Sequence, residues 1–119
     1  MTKNKWIERI RSSAIEAGTY RPCFDDVIAT LADILERRDQ AQKLYEKTGR
    51  QAIVEHTNKG GAVNLEQNPC LRLINDLNRD ALAYWRDLGL TPAGLKRIDD
   101  GAMKKPKESA LAKALREVG

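Results

Sequence analysis

Apolar residues recur every three or four positions along most of the chain, which predicts a mainly helical protein. The first such stretch covers residues 3–17, where Trp6 and Ile10 share one face and Gly18 predicts the end of the helix. A longer stretch runs over 22–49 with no internal glycine or proline. A helix of roughly 25 residues is about 38 Å long. We therefore expect part of it to contact another helix or another subunit.

The pattern changes to a β type between the long helix and residue 67. Two short β-prone runs flank the turn Asn58–Gly61, which predicts a hairpin or extended arm over 50–67. An isolated two-stranded hairpin is only marginally stable in water. We therefore expect a helix or a neighbouring chain to support this arm.

Two further helices are predicted after the arm. Asn68–Pro69 and Thr91–Pro92 each place a capping side chain before a proline, the preferred start of a helix. The helix that follows Asn68 is a natural antiparallel partner for the long helix. The predicted fold is mainly α, with an antiparallel helical hairpin core, a short β-hairpin arm, a short N-terminal helix and a C-terminal helical tail. Its predicted parts are a core over 1–101, made of the segments 1–21, 22–49, 50–67 and 68–101, and a basic linker with a C-terminal helix over 102–119.

Positive charge is concentrated at the two ends of the chain. The net charge is +4 overall, with +3 in residues 1–21, −2 in 22–95 and +3 in 96–119. Basic ends on a nearly neutral body suggest contact with a polyanion, most often nucleic acid, although they can also serve solubility alone. The candidate DNA-binding residues at these ends are Lys3, Lys5, Arg9, Arg11, Arg21, Lys104, Lys105 and Lys107.

The sequence contains no recognisable catalytic, metal or cofactor site. His56 is the only histidine, and Cys23 and Cys70 are far apart, so no zinc set can be assembled. The longest apolar run, Ala81–Trp85, is far shorter than the roughly 20 residues needed to span a bilayer. Without a secretory signal pattern at its start, the chain is expected to be a cytoplasmic protein that is not an enzyme.

Four ordered features resemble the small subunit of tailed-bacteriophage terminases. They are the helix end Tyr45–Gly49, the hairpin Val54–Gly61, the Asn68–Pro69 helix start and the corner of Leu88–Ile98, whose sequence is LGLTPAGLKRI. The similarity covers about residues 18–98. Its most specific parts are the Asn-Pro pair and the Leu-Gly-Leu-Thr-Pro corner.

The resemblance implies a helical protein that assembles into rings, binds double-stranded viral DNA and regulates a large subunit that carries the ATPase and nuclease. The protein would then work in the cytoplasm of a host cell. Many members place a helix-turn-helix domain before the oligomerisation helices, whereas only residues 3–22 precede the long helix here, so the DNA contacts are expected at the two ends or inside a ring. Residues expected in the subunit interface are Leu31, Leu35, Leu44 and Tyr45, and those expected to contact the large or a neighbouring subunit are Leu111, Leu115 and Val118.

Two other functions remain open from the residues alone. Residues 3–30 could form the helix-turn-helix of a dimeric transcription regulator, although the long helix exceeds what that motif needs. A scaffold that binds only protein is the third hypothesis, with the basic ends incidental. The size of the assembly in solution separates a ring from a dimer.

Overall fold

The computed structural model describes residues 1–101, which form four α-helices, one short 3-10 turn and one two-stranded sheet. The mainly helical class, the short N-terminal helix and the β-hairpin arm are confirmed. The predictions for the C-terminal tail, including Lys104, Lys105, Lys107, Leu111, Leu115 and Val118, lie outside the described residues. The elements are α1 (Lys3–Ala17), the 3-10 turn (Pro22–Phe24), α2 (Asp25–Lys47), β1 (Ile53–Thr57), β2 (Val63–Gln67), α3 (Pro69–Asp87) and α4 (92–101).

Helix α2 is shorter than the predicted 22–49 segment at both ends. The proline at its predicted start begins the 3-10 turn instead, and α-helical geometry starts only at Asp25. At the other end, Gly49 and Arg50 have left-handed backbones with φ of 77° and 59°, which ends the helix. The 23 residues of α2 correspond to a length of about 34 Å.

Helix α2 is the centre of the core because it packs against α1 on one side and α3 on another. Its residues Ile28, Leu31 and Leu35 have no exposed surface. The chain's own helices therefore already cover Leu31 and Leu35, and a second subunit cannot reach them in this fold. Leu44, on the same helix, keeps 52% of its surface exposed.

Helix α1 lies antiparallel against about the first two thirds of α2, from Asp25 to Asp39. Near its start, the Lys3 backbone N–H donates to the Glu36 carboxylate at 2.6 Å, and further along Arg11 pairs with Asp25 at 3.3 Å. The Glu36 carboxylate caps a helix N-terminus, where negative charge is favourable. Beyond about residue 40, α2 and α3 cover each other without support from α1.

Asp39 accepts three hydrogen bonds that fix α1 on α2. Its Oδ2 accepts from Trp6 Nε1 at 2.8 Å and from the terminal amine of Met1 at 2.9 Å, and its Oδ1 accepts from Arg38 at 3.2 Å. Burial acts to raise the pKa of this carboxyl, but the hydrogen bonds and the Arg38 charge outweigh it and hold the pKa below its usual value. The ionised carboxylate is therefore the form that holds the tryptophan.

Asn68 joins the end of α2, the base of the arm and the start of α3. Its side chain is almost fully buried, and its Nδ2 donates to Thr48 Oγ1 at 3.0 Å and to the Gln51 carbonyl at 2.8 Å. Its Oδ1 accepts from the Cys70 backbone N–H at 3.0 Å, which is the predicted helix cap. Its own backbone N–H donates to the Ala52 carbonyl. One amide thus satisfies polar groups from three elements.

The predicted corner between α3 and α4 is confirmed. Thr91 Oγ1 accepts from the Gly94 backbone N–H at 3.0 Å, so it caps α4. A Cβ at Gly94 would overlap the Arg86 carbonyl, and Gly89 has a φ of +72° with Ile98 against its backbone. Both glycines are therefore required for α4 to fold back on the end of α3.

Replacing Asp39 by asparagine should lower the stability at neutral pH by about 1–3 kcal/mol, because hydrogen bonds to a charged group are lost. The folded-state pKa is depressed, so the stabilisation is present above the unfolded carboxyl pKa and disappears as the pH falls through the folded value. Urea unfolding of both chains at a series of pH values measures this difference.

The matched control is Asp33→Asn, which removes an exposed pair with Arg37 and should change stability by less than about 1 kcal/mol. The difference in the free energy of unfolding between the wild type and Asp39→Asn should become smaller as the pH falls. A difference that stays constant down to the lowest pH at which both chains fold would contradict the assignment.

Candidate DNA-binding and assembly surfaces

The β-hairpin presents its apolar side to solvent. Strands β1 and β2 are antiparallel, with Glu55 opposite Leu65 and Thr57 opposite Val63. Opposite residues share a face, so Ile53, Val63 and Leu65 lie on one side of the sheet together with the polar residues Glu55, Thr57 and Gln67. We call this side the arm face. The exposed fractions of its three apolar residues are 60%, 57% and 73%. The other side carries Val54, His56, Asn64 and Glu66.

This orientation is the reverse of that expected for an arm packed on its own bundle. Among the residues of the two strands, only Val54 is partly buried, and it lies on the side of the sheet away from the arm face. Exposed apolar side chains grouped on one side of a two-stranded sheet make this side a candidate contact surface. The sequence predicted the arm but not this orientation, because only the register decides which side is apolar.

Exposed apolar residues also occur where α2 and α3 have lost the cover of α1. Leu44 and Leu73 are each about half exposed there. Tyr45 is partly buried, and its hydroxyl donates to the Arg50 carbonyl at 2.8 Å beyond the helix end. Of the four predicted interface residues, Leu44 and Tyr45 are therefore the two that lie at the surface.

Helix α1 carries four of the predicted DNA-binding residues, in different environments. Lys5 and Arg9 are exposed, whereas Lys3 and Arg11 are partly buried. The Arg9 guanidinium lies 5.6 Å from the centre of the Trp6 ring, in a cation–π contact. The helix also exposes Glu8 and Glu16, so its outer surface is less positive than the count of its basic residues suggests.

Arg11 is held by an ion pair, although 42% of its side chain remains exposed. Its Nη2 donates to Asp25 Oδ1 at 3.3 Å, and the Tyr20 hydroxyl donates to the same oxygen at 2.9 Å. The hydrogen bond to Asp25 is the main reason that the pKa of Tyr20 is raised. Arg21, after this cluster, is exposed and donates only to the neighbouring Tyr20 carbonyl. Lys5, Arg9 and Arg21 are thus the described candidates free to meet a phosphate.

Arg38 of α2 lies on the same surface as Trp6 and Arg9. It lies 5.5 Å from the centre of the Trp6 ring and also donates to Asn78 of α3 at 3.4 Å. The apolar row of α1 favoured a packing role for Trp6, and the 9% exposure of that residue confirms it. No sequence signal pairs Arg38 with Trp6, because the two are 32 positions apart.

Two absences hold for residues 1–101. No group of three or more His, Cys, Asp or Glu side chains lies close enough together to hold a metal ion. Among the same residues, no helix has both the length and the hydropathy required to cross a membrane.

A comparison with protein-family models gives a match over most of the chain. The matching model is described as phage terminase, small subunit, and it aligns with residues 3–105. Neither a curated protein nor a solved structure matches the chain. The matched region is wider than the 18–98 segment that carried the resemblance, and it assigns a general role in phage DNA packaging. The chain belongs to the family of phage terminase small subunits.

Proposed function

We propose that the protein is the DNA-binding, ring-forming subunit of a phage packaging terminase, and that it regulates the large ATPase and nuclease subunit in the host cytoplasm without catalysis of its own. The observation that carries the proposal is the arm face, whose three apolar side chains are more than half exposed within the described chain. Membership in the terminase family supports the rest. The partners proposed are copies of the chain, double-stranded DNA and the large subunit.

Burial of the apolar side chains of the arm face supports assembly through the arm. Covering the side chains of Ile53, Val63 and Leu65 would contribute favourably to association at about 25 cal/mol for each Å² of apolar surface buried. The surfaces at Leu44 and Tyr45 are proposed to belong to the same interface. We propose that the arm of one copy contacts the two-helix end of the next copy. Such a contact between unlike surfaces closes into a ring when the rotation allows.

The proposed DNA contacts are Lys5, Arg9 and Arg21, with Lys3 and Arg11 at the edge of the site and the tail lysines 104, 105 and 107 as a second cluster. These side chains provide phosphate contacts rather than a set for reading bases. A single chain has few such contacts, so its affinity is low. A ring multiplies them through effective concentration.

The helix arrangement favours this function over a dimeric transcription regulator. A helix-turn-helix pair crosses at about 90–120° and leaves its second helix free for the major groove. Here α1 and α2 lie antiparallel, and α2 is packed between α1 and α3.

Leu111, Leu115 and Val118 are proposed to contact the large subunit.

Replacing Leu65 by lysine should reduce the size of the assembly while the helical signal and its melting are kept, because the side chain makes no contribution to the bundle core. Sedimentation velocity and circular dichroism of the same samples measure the two properties. Asn64→Lys, which adds the same charge on the opposite side of the arm, is the control and should leave the assembly intact. Equal behaviour of the two variants would contradict a role for the arm face.

Charge reversal in the first cluster, by Lys5→Glu with Arg9→Glu, should weaken binding to duplex DNA and reduce its salt dependence. Each phosphate contact contributes about 0.9 to the slope of log affinity against log salt concentration. Arg79→Glu with Arg72→Glu, which makes the same charge change on exposed positions of α3, is the control. A fluorescence-anisotropy salt titration measures the slopes.

Reversal of lysines 104, 105 and 107 in a separate variant tests the second cluster in the same titration. The proposed site at the two ends predicts a smaller slope for at least one cluster than for the control. If both clusters leave the slope unchanged, DNA contacts the body of the ring and the proposed residues are wrong.

A further inference from the structure

One long side of the α2–α3 pair is covered by no element among residues 1–101. On α2 its exposed positions follow the helix repeat from Asp26 to Arg37, and on α3 they follow it from Leu73 to Asp87. We call this surface the outer face. Its members are Asp26, Thr30, Asp33 and Arg37 of α2 with Leu73, Asp76, Asp80 and Asp87 of α3.

The outer face is on the side of the pair away from α1. Trp85 of α3 and Trp6 of α1 line the same surface depression, so α1 occupies the Trp85 side of α3. Asp80 lies five residues before Trp85, which in a helix places the two about 140° apart. Asp80 is therefore on the side opposite to α1.

The outer face has an ordered distribution of charge. It carries five carboxylates, of which Asp33 is half-buried and two are paired: Arg37 pairs with Asp33 at 3.0 Å, and the neighbouring Arg79 pairs with Asp76 at 3.9 Å. Asp26, Asp80 and Asp87 make no ion pair with any residue in 1–101. Leu73 ends the surface at the arm end of α3. The face thus changes from acidic near Asp87 to apolar at Leu73, over about 21 Å.

The described chain ends beside the acidic end of this face. Ile98, in the last part of α4, lines a depression together with Asp87 and Phe24. Helix α4 reaches residue 101, one turn further. The described chain therefore ends one helical turn after Ile98, the residue that adjoins Asp87 and the beginning of α2.

The sequence of residues 102–119 has the complementary order. It begins with Lys104, Lys105 and Lys107, and its apolar residues Leu111 and Leu115 follow later. Its five basic and two acidic residues give a net charge of +3. Ten residues from position 101 to Leu111 reach up to about 33 Å when extended. This is more than the 21 Å needed to bring Leu111 to Leu73.

We propose that residues 102–119 dock on the outer face of their own chain. The three lysines contact Asp26, Asp80 and Asp87, and Leu111 and Leu115 cover Leu73. This docking holds the tail away from other partners when the protein is alone. In DNA binding, the outer face would compete with DNA phosphates for the same lysines. This consequence rests on the proposed function, whereas the docking itself does not.

Zero-length carbodiimide cross-linking of the full native chain tests the contact, because the reagent joins a lysine amine only to a carboxylate that touches it. An equal mixture of chains with natural nitrogen and with ¹⁵N, followed by mass spectrometry of the peptides, separates links within a chain from links between chains. We expect links from Lys104, Lys105 or Lys107 to Asp26, Asp80 or Asp87 within one chain. High salt should reduce their yield several-fold.

A pair of variants tests the apolar half of the contact. Leu115→Asp should reduce the yield of those links several-fold, whereas Ala112→Asp, which adds the same charge outside the Leu111–Leu115 row, should change it little. Links found only between chains, links only to Glu8 or Glu16 of α1, or equal yields from the two variants would each overturn the proposal. The size of the assembly and its DNA affinity do not enter this test, so a failure here leaves the proposed function standing.

Discussion

The unequal lengths of the helices packed on α2 determine the rest of this structure. Helix α3 runs along α2, but α1 covers only about the first two thirds of α2 and is fixed there by Asp25, Glu36 and Asp39. The bundle is therefore three helices thick at one end and two at the other. Leu44 and Leu73 lie at the two-helix end and are about half exposed. The arm extends the chain from that same end.

The arm adds an exposed apolar surface at the same end of the bundle. Asn68 fixes its base with hydrogen bonds to the end of α2, so the arm cannot easily fold back over Leu44. The register then directs Ile53, Val63 and Leu65 outward. The family match gives the chain a general role in phage DNA packaging.

Local signals in the sequence were sufficient to predict the elements and their order. The caps Asn68 and Thr91 and the stop at Gly18 act within a few residues, so their role can be read directly from the chain. The surface assignments depended on tertiary packing and were less accurate. Leu31 and Leu44 belong to one predicted apolar row, yet the first is fully buried in the monomer and the second is half exposed. The two residues are 13 positions apart, which places them about 140° apart around the helix. Leu44 therefore shares the exposed row of Asp26 and Arg37. The pairing of Arg11 with Asp25, in contrast, depends on tertiary structure, because it requires the antiparallel docking of α1.

The central claim of the proposed ring is that further copies of the chain cover the arm and the two-helix end. The mass of the unmodified full-length protein under native conditions, measured by native mass spectrometry over a range of concentrations, tests this claim directly. The account predicts one closed species of many subunits that persists on dilution, because each copy uses the same two surfaces. A monomer at every concentration, or a dimer that grows no further, would contradict it.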